Sequence, residues 1–230
     1  MNEQRNATVL GLTSTDKLLV GVVPPVVGLV LGWFIPAIAE WAVSLPWVPF
    51  KGLFELIVSF QGVWVIFLTT CIGFFAGLAL TYYVFRESLV VYLSDEDVRL
   101  HISGAEQSFG REEVSVAFLD GKQLVLIGQA DQELYREKHE SKNDKVAEAF
   151  RQHGYYWSQA DPFKDAYRRW VPDMPDLTPG ANALLKAREK ALQKDEKEDV
   201  NDLKRELAKL GIAVREEGKR QYWREHKRAI

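Results

Sequence analysis

Two long apolar runs dominate the hydrophobic pattern of the chain. They span residues 18–39 and 62–85, and neither contains a charged side chain. Each exceeds the roughly 18–20 apolar residues needed to cross about 30 Å of hydrocarbon. The pattern predicts a transmembrane hairpin over residues 18–85, after an N-terminal segment of residues 1–17. The first run is longer than the apolar region of a signal peptide, so we expect a retained anchor.

Small residues recur at a spacing of four within both runs. Gly28 and Gly32 form one pair, and Gly73 and Gly77 form the other. Such pairs allow two helix backbones to approach closely, which predicts the packing seam of the hairpin. Glycine is also frequent in membrane helices in general, and that alternative gives the pairs no packing role.

Basic residues near the spans predict their orientation. Arg5 and Lys17 precede the first span, Arg86 and Arg99 follow the second, and the connecting loop contains Lys51 alone. Cytoplasmic flanks carry an excess of Lys and Arg. We therefore expect a multi-pass protein of the cell membrane with both termini in the cytoplasm. The loop over residues 46–61 is expected to lie along the interface.

The hydrophobic period changes after the second span. Apolar and polar residues alternate over residues 98–102, as in a half-buried strand. Asp120-Gly121 separates two further β-rich runs, which predicts a hairpin with a tight turn. An amphipathic helix is expected over residues 142–152, with Gly154 after its end. Residues 87–154 are therefore predicted to form a β-domain with a C-terminal helix.

This order of elements resembles a bacterial PH-like domain, and together with the preceding hairpin it resembles the YqeB group of bacterial membrane proteins. The resemblance implies that the domain binds anionic lipid headgroups, as PH-like domains elsewhere can. However, residues 86–180 contain 12 Lys and Arg against 18 Asp and Glu. Because an acidic surface is repelled from an anionic leaflet, a protein-contact or spacer role is favoured over lipid binding.

Residues 155–180 are predicted to link this domain to a second soluble module. Asp161-Pro162 has the composition of a helix start, so a short helix is expected to end at Arg168-Arg169-Trp170. Three prolines then interrupt the chain, which indicates little regular structure.

The C-terminal module, residues 181–230, is predicted to be a helical hairpin with a short β tail. Thr178-Pro179 begins a helix that runs to about Lys194. Asp195 and Glu198 have the spacing of a capping box for a second helix, which buries apolar residues at spacings of three and four. A β-hairpin is expected over Glu217-Gly218-Lys219. This module contains 14 Lys and Arg against 10 Asp and Glu, the reverse of the preceding residues.

The module resembles the anticodon-recognition domain of cysteinyl-tRNA synthetases from about Ala183 to Arg224. The matching positions are Arg188, Ala191, Val200, Leu203, Glu206, Leu207, the run Leu210-Gly211-Ile212, and Trp223. The departures are Leu192, Lys197, Asn201, Lys204, Glu216, Glu217, Arg220 and Tyr222. The apolar framework matches better than the polar positions, and the catalytic motifs of the synthetase have no counterpart.

The resemblance and the basic, aromatic tail together predict an RNA-binding surface, since cations bind phosphates and aromatic rings stack on bases. The alternative is a solvated basic tail with a tryptophan packed on the helices. The candidate RNA-binding residues are Arg188, Lys204, Lys219, Arg220, Tyr222 and Trp223.

Reactive groups are sparse and scattered. Cys71 is the single cysteine, and the four histidines lack metal-ligand spacing, so we expect no metal and no cofactor. No paired carboxylates or nucleophile–base set indicates an enzyme.

We therefore predict a membrane-anchored α+β protein with a two-helix transmembrane hairpin, a PH-like β-domain and a small helical-hairpin module. Its expected partners are the lipid bilayer and tRNA or ribosomal RNA. The alternative is a membrane scaffold whose modules dock protein partners.

Overall fold

The computed structural model describes residues 7–49, 51–60 and 62–226. Arg5, one of the residues used for the orientation, lies outside this range. The chain divides into two compact units. A hairpin unit contains residues 11–90 and 101–105, and a second unit contains residues 7–10, 91–100 and 106–226 of the described chain.

The hairpin unit consists of three helices. They are α1 (Ser14–Val43), α2 (Lys51–Ser59) and α3 (Val63–Glu87). The Thr13 side chain caps α1 by accepting a hydrogen bond from the Asp16 amide at 3.2 Å. Helix α1 extends the predicted first span at both ends, and α3 begins at Val63 and extends the second span by two residues at its C-terminal end. Both helices are long and apolar enough to cross a membrane.

Helices α1 and α3 pack antiparallel along a seam of small residues. A Cβ atom on Gly28 or Gly73 would overlap the backbone of the other residue, and a Cβ on Gly77 would overlap the Pro24 carbonyl. The Thr81 hydroxyl donates a 2.9 Å hydrogen bond to the Val20 carbonyl at one end of the seam. The four glycines therefore bring the helix backbones into contact, and one polar bond is buried with them.

The second unit contains most of a four-stranded sheet in the order β1-β2-β3-β4. Its strands are β1 (Thr8–Leu10), β2 (Val90–Leu93), β3 (Asp97–Ile102) and β4 (Ala105–Gly110). β1 pairs antiparallel with β2, with Val9 opposite Tyr92. In chain order the three helices therefore lie between the first two strands of one sheet. Neither β1 nor β4 was predicted from the sequence.

A second sheet follows in the order β5-β6-β7, with strands β5 (Val114–Asp120), β6 (Gln123–Gly128) and β7 (Glu133–Lys138). The predicted hairpin over Gly121 is present, with φ +62 at this glycine. Helix α4 (Asn143–Gln152) buries Val146, Ala149 and Phe150 on one face. The strands are thus followed by a C-terminal helix, as expected of a PH-like domain.

The C-terminal module contains β8 (Arg168–Arg169), α5 (Pro179–Lys194), α6 (Lys197–Lys209), β9 (Ile212–Glu217) and β10 (Arg220–Glu225). Its three strands have the order β8-β10-β9, so the predicted tail hairpin gains a third strand. Thr178 caps α5 as predicted, since its hydroxyl accepts from the Ala181 amide at 3.2 Å.

Two local predictions are wrong. The residues after Asp161-Pro162 form a single 3₁₀ turn over Lys164–Ala166, not a helix, because Arg168 and Arg169 pair with β10. Asp195 does not cap α6; it ends α5 in a left-handed conformation with φ 59, and Glu196 precedes α6 without a side-chain cap. The segment 155–180 therefore contributes a strand to the module that it precedes.

Candidate nucleic-acid interface

The C-terminal module has its own hydrophobic core. It forms where α5, α6 and the three-stranded sheet meet, and the Trp170 indole nitrogen donates to Asn182 at 3.1 Å beside it. A core of this kind fixes the positions of the surface side chains around it. Its buried members are Trp170, Leu177, Ala181, Leu185, Leu207, Ile212, Val214 and Trp223.

Arg188 lies inside this module, with no exposed surface. Its guanidinium donates to the Val200 carbonyl at 3.3 Å, to Gln221 Oε1 at 2.9 Å and to Glu216 Oε2 at 2.5 Å. These bonds join α5, α6 and the β9–β10 hairpin. The predicted RNA contact of Arg188 does not fit this position, because its donors are used within the fold.

Trp223 is also fully buried in the module core. The Arg168 guanidinium covers its ring at 4.6 Å from the centroid. A base cannot stack on a ring whose faces are already packed, so the prediction of a stacking platform does not fit this position. The alternative of a tryptophan packed on the helices describes it instead.

Lys204 points to the PH-like strands. Its ammonium lies 2.6 Å from Glu133 Oε1 on β7, and the Glu133 carboxylate is also 2.9 Å from Arg136 Nε. Burial lowers the pKa of the Arg136 guanidinium, but Glu133 and Asp120 raise it more, so the net direction is upward. A phosphate that bound Lys204 would therefore have to displace Glu133 from the ion pair that joins α6 to β7.

Lys219 and Arg220 are the exposed members of the predicted set, with Tyr222 half-buried. Both cations lie at the turn between β9 and β10. Lys219 Nζ donates to the Gln193 carbonyl at 2.9 Å, which places this turn beside the end of α5. The Tyr222 ring lies 5.9 Å from the Arg215 guanidinium. The turn is thus the part of the predicted site that RNA can reach.

A second group of cations, missed in the sequence analysis, joins the module to the rest of its unit. Arg224 donates to the Asp131 carbonyl at 2.6 Å and covers the Phe163 ring at 3.9 Å. Arg215 lies 3.3 Å from Asp161 Oδ2. Burial raises the pKa of the neighbouring Tyr167 hydroxyl. These contacts hold the module against the turn between β6 and β7 and against the segment that follows α4. The cations involved would be assigned to solvent from the sequence alone.

A hydrogen-bonded chain in the PH-like domain was also not predicted. His153 Nε2 lies 2.8 Å from the Thr8 hydroxyl, and His153 Nδ1 lies 2.6 Å from Asp95 Oδ1. The chain joins β1, the end of α4 and the turn between β2 and β3. It therefore fixes the strand that precedes α1 to the helix that closes the domain.

Among the residues that the structure describes, no group of three or more His, Cys, Asp or Glu side chains could hold a metal ion. A cavity of about 330 Å³ lies between β7 and α6, and the paired Glu133 and Lys204 are part of its lining.

Two family models match the chain. A model of the YqeB-like bacterial PH domain matches residues 8–158, and a model of the cysteinyl-tRNA ligase anticodon binding domain matches residues 174–224. The chain is 45% identical over 225 residues to a protein of Bacillus subtilis (strain 168) described as "Uncharacterized protein YqeB". That match covers 97% of this chain and 94% of the relative. No solved structure matches. Both resemblances found in the sequence are confirmed.

Proposed function

We propose a function from the premise that the chain belongs to the family of YqeB-like bacterial PH domain proteins. The proposed function is that of a non-enzymatic, membrane-tethered protein, which binds tRNA or another structured RNA on the cytoplasmic face through its C-terminal module. The observation that carries this proposal is the match of residues 174–224 to an anticodon binding domain, on a module with its own packed core.

Support for the membrane tether comes from the surface of the hairpin unit. In the most apolar stretch of α1 only 11% of the residues are buried, and in that of α3 only 6% are buried. A core helix of a soluble protein would be mostly buried. Large exposed apolar side chains on the two helices include Trp33, Phe34, Trp64 and Phe75. Transfer of such side chains from water to an apolar environment is favourable. A bilayer supplies one.

The orientation gives a direct prediction. A fluorescent protein fused to the C-terminus should be active in the cytoplasm. The reason is that Lys and Arg are more frequent before the first span and after the second than in the loop between them. An alkaline phosphatase fused at the same point should be inactive. The matched control is a truncation after Ser59 fused to each reporter, which should give the reverse pattern. Active phosphatase at the C-terminus would overturn the orientation.

The RNA proposal is tested by titrating tRNA into the full-length protein in detergent at two salt concentrations. Phosphate contacts release counterions, so the affinity should fall steeply as salt rises. Affinity that does not change with salt would contradict an RNA-binding role.

The second candidate function is a scaffold for protein partners. The observation that favours it is the contact of Lys204 with Glu133 and of Arg224 with Asp131, which makes the module continuous with the PH-like strands. A scaffold for proteins would show no salt-dependent binding of tRNA, so the same titration separates the two candidates.

A further inference from the structure

We infer that RNA runs along a row of lysines on the outer face of α5, formed by Lys186, Lys190 and Lys194, and on to Lys219 and Arg220. This inference rests on the proposed function and changes the location of its site. The positions that match the synthetase, Arg188 and Trp223, are buried. The phosphate-binding surface must therefore be built from other residues.

The row follows from which face of α5 is buried. Ala181, Leu185, Arg188 and Ala191 face the module core. Lys186, Lys190 and Lys194 occupy the opposite side and are all exposed. Their spacing of four residues places them in line, about 6 Å apart, because each residue adds about 1.5 Å of rise. The row is therefore about 12 Å long, which corresponds to about three to four nucleotides of one strand.

The β9–β10 turn extends the row beyond the end of α5. Lys219 Nζ donates to the Gln193 carbonyl at 2.9 Å, one residue before Lys194 in the chain. Arg220 is next to Lys219 and is exposed. Five cations, Lys186, Lys190, Lys194, Lys219 and Arg220, thus share one continuous surface, which consists of the row on α5 and the β9–β10 turn.

Two carboxylates near the row and the turn form only weak, solvent-exposed ion pairs with their cations. Glu196 lies 3.6 Å from Lys194 Nζ, and Asp195 lies 3.8 Å from Lys219 Nζ. All four side chains are exposed to solvent, where such pairs contribute little and yield readily to another anion. Lys186 and Lys190 have no ion pair among those found in the described residues. The cations are therefore available to phosphates.

A linear polyanion fits this surface better than a flat anionic membrane. The row is a narrow line flanked by Glu189, Asp195 and Glu196. A planar anionic surface would meet these carboxylates together with the lysines, and repulsion would cancel much of the attraction. A nucleic-acid strand can follow the line of cations alone.

The test uses the full-length protein in detergent with a mixture of bacterial tRNA. The row variant is K186Q/K190Q/K194Q, which keeps helix propensity because glutamine is nearly as good a helix former as lysine. We expect affinity at low salt to fall by about tenfold or more, and the slope of log affinity against log salt to shrink by about three. The turn variant K219Q/R220Q should reduce the slope by about two.

The matched control removes the same charge elsewhere. Lys122, Lys142 and Lys145 are exposed on the PH-like domain, and K122Q/K142Q/K145Q should leave affinity and slope nearly unchanged. An equal loss in the control would overturn the inference, since net charge alone would then explain the effect. Affinity lost in the turn variant but unchanged in the row variant would overturn the row and leave RNA binding intact.

Two further outcomes are distinguishable. Absence of salt-dependent tRNA binding by the unmodified protein would remove the proposed function and the row with it. Anionic vesicles provide the other comparison. If the row variant loses binding to vesicles containing phosphatidylglycerol and keeps its tRNA affinity, the row contacts lipid, and the inference is wrong.

Discussion

Replacing Gly77 with leucine should force α1 and α3 apart and cause a large loss of stability in the hairpin unit. A Cβ atom alone at this position would overlap the backbone of Pro24 and Pro25, which cannot move aside as a flexible side chain could. The close backbone contact would be lost along with the 2.9 Å bond from Thr81 to the Val20 carbonyl one turn away.

The hairpin prediction is measured as resistance of the full-length protein to heat and protease in detergent. The matched control is Gly21→Leu in α1, because a Cβ placed there would meet nothing within 4 Å apart from its chain neighbours and the backbone of its own helix. Gly21→Leu should behave as the unmodified protein does. If Gly77→Leu and Gly21→Leu were indistinguishable, the small-residue seam would not hold the helices together.

Trp223→Ala should destabilise the C-terminal module by about 3–5 kcal/mol, as expected for removing a fully buried tryptophan. The cavity would lie between α5, α6 and the sheet, where Leu185 and Leu207 are also fully buried. Hydrogen exchange of the full-length protein, followed by mass spectrometry, should show faster exchange in peptides from residues 179–209.

Tyr156→Ala is the matched control for this change, since Tyr156 is an aromatic residue of the same unit with 71% of its surface exposed. Its exchange should match that of the unmodified protein. Trp223→Ala tests the structural role directly. Unchanged exchange combined with lost tRNA affinity would show that Trp223 is a stacking platform after all, and the buried position would be contradicted.

Sequence periodicity predicted the elements whose apolar pattern is local. The two long helices, α4, α5, and the hairpins at Gly121 and Gly218 follow from runs, alternation and turn residues within the element itself. The helix ends moved by a few residues because capping depends on backbone conformation, as at Asp195. These elements needed no information from distant parts of the chain.

Four strands were not predicted because their own sequences do not indicate them. β8 has only two residues, both of them arginine. β1 has three residues, β4 is largely exposed, and β7 carries four charged side chains among its six residues. Each becomes a strand through pairing with a neighbour, and β1 pairs with residues more than 80 positions away. Propensity within the element is overridden by tertiary pairing in such cases.

Sequence matching could not separate the buried members of the predicted RNA-binding set from the exposed ones. Arg188 and Trp223 match the synthetase pattern, but burial depends on partners from the β9–β10 hairpin and β8. A buried arginine with three partners is not distinguishable from an exposed one by sequence spacing alone. The lysines of α5 carry no motif, and they become a candidate only once the buried face of the helix is known.

Binding of RNA by the C-terminal module can be tested inside the cell. The most direct measurement is ultraviolet cross-linking of intact cells, followed by purification of the tagged full-length protein under denaturing conditions and sequencing of the attached RNA. We expect tRNA or ribosomal RNA well above the level recovered with K186Q/K190Q/K194Q, with cross-linked peptides from α5 or the β9–β10 turn. RNA at the level of an untagged control would rule out RNA binding by the module and favour the protein-docking scaffold.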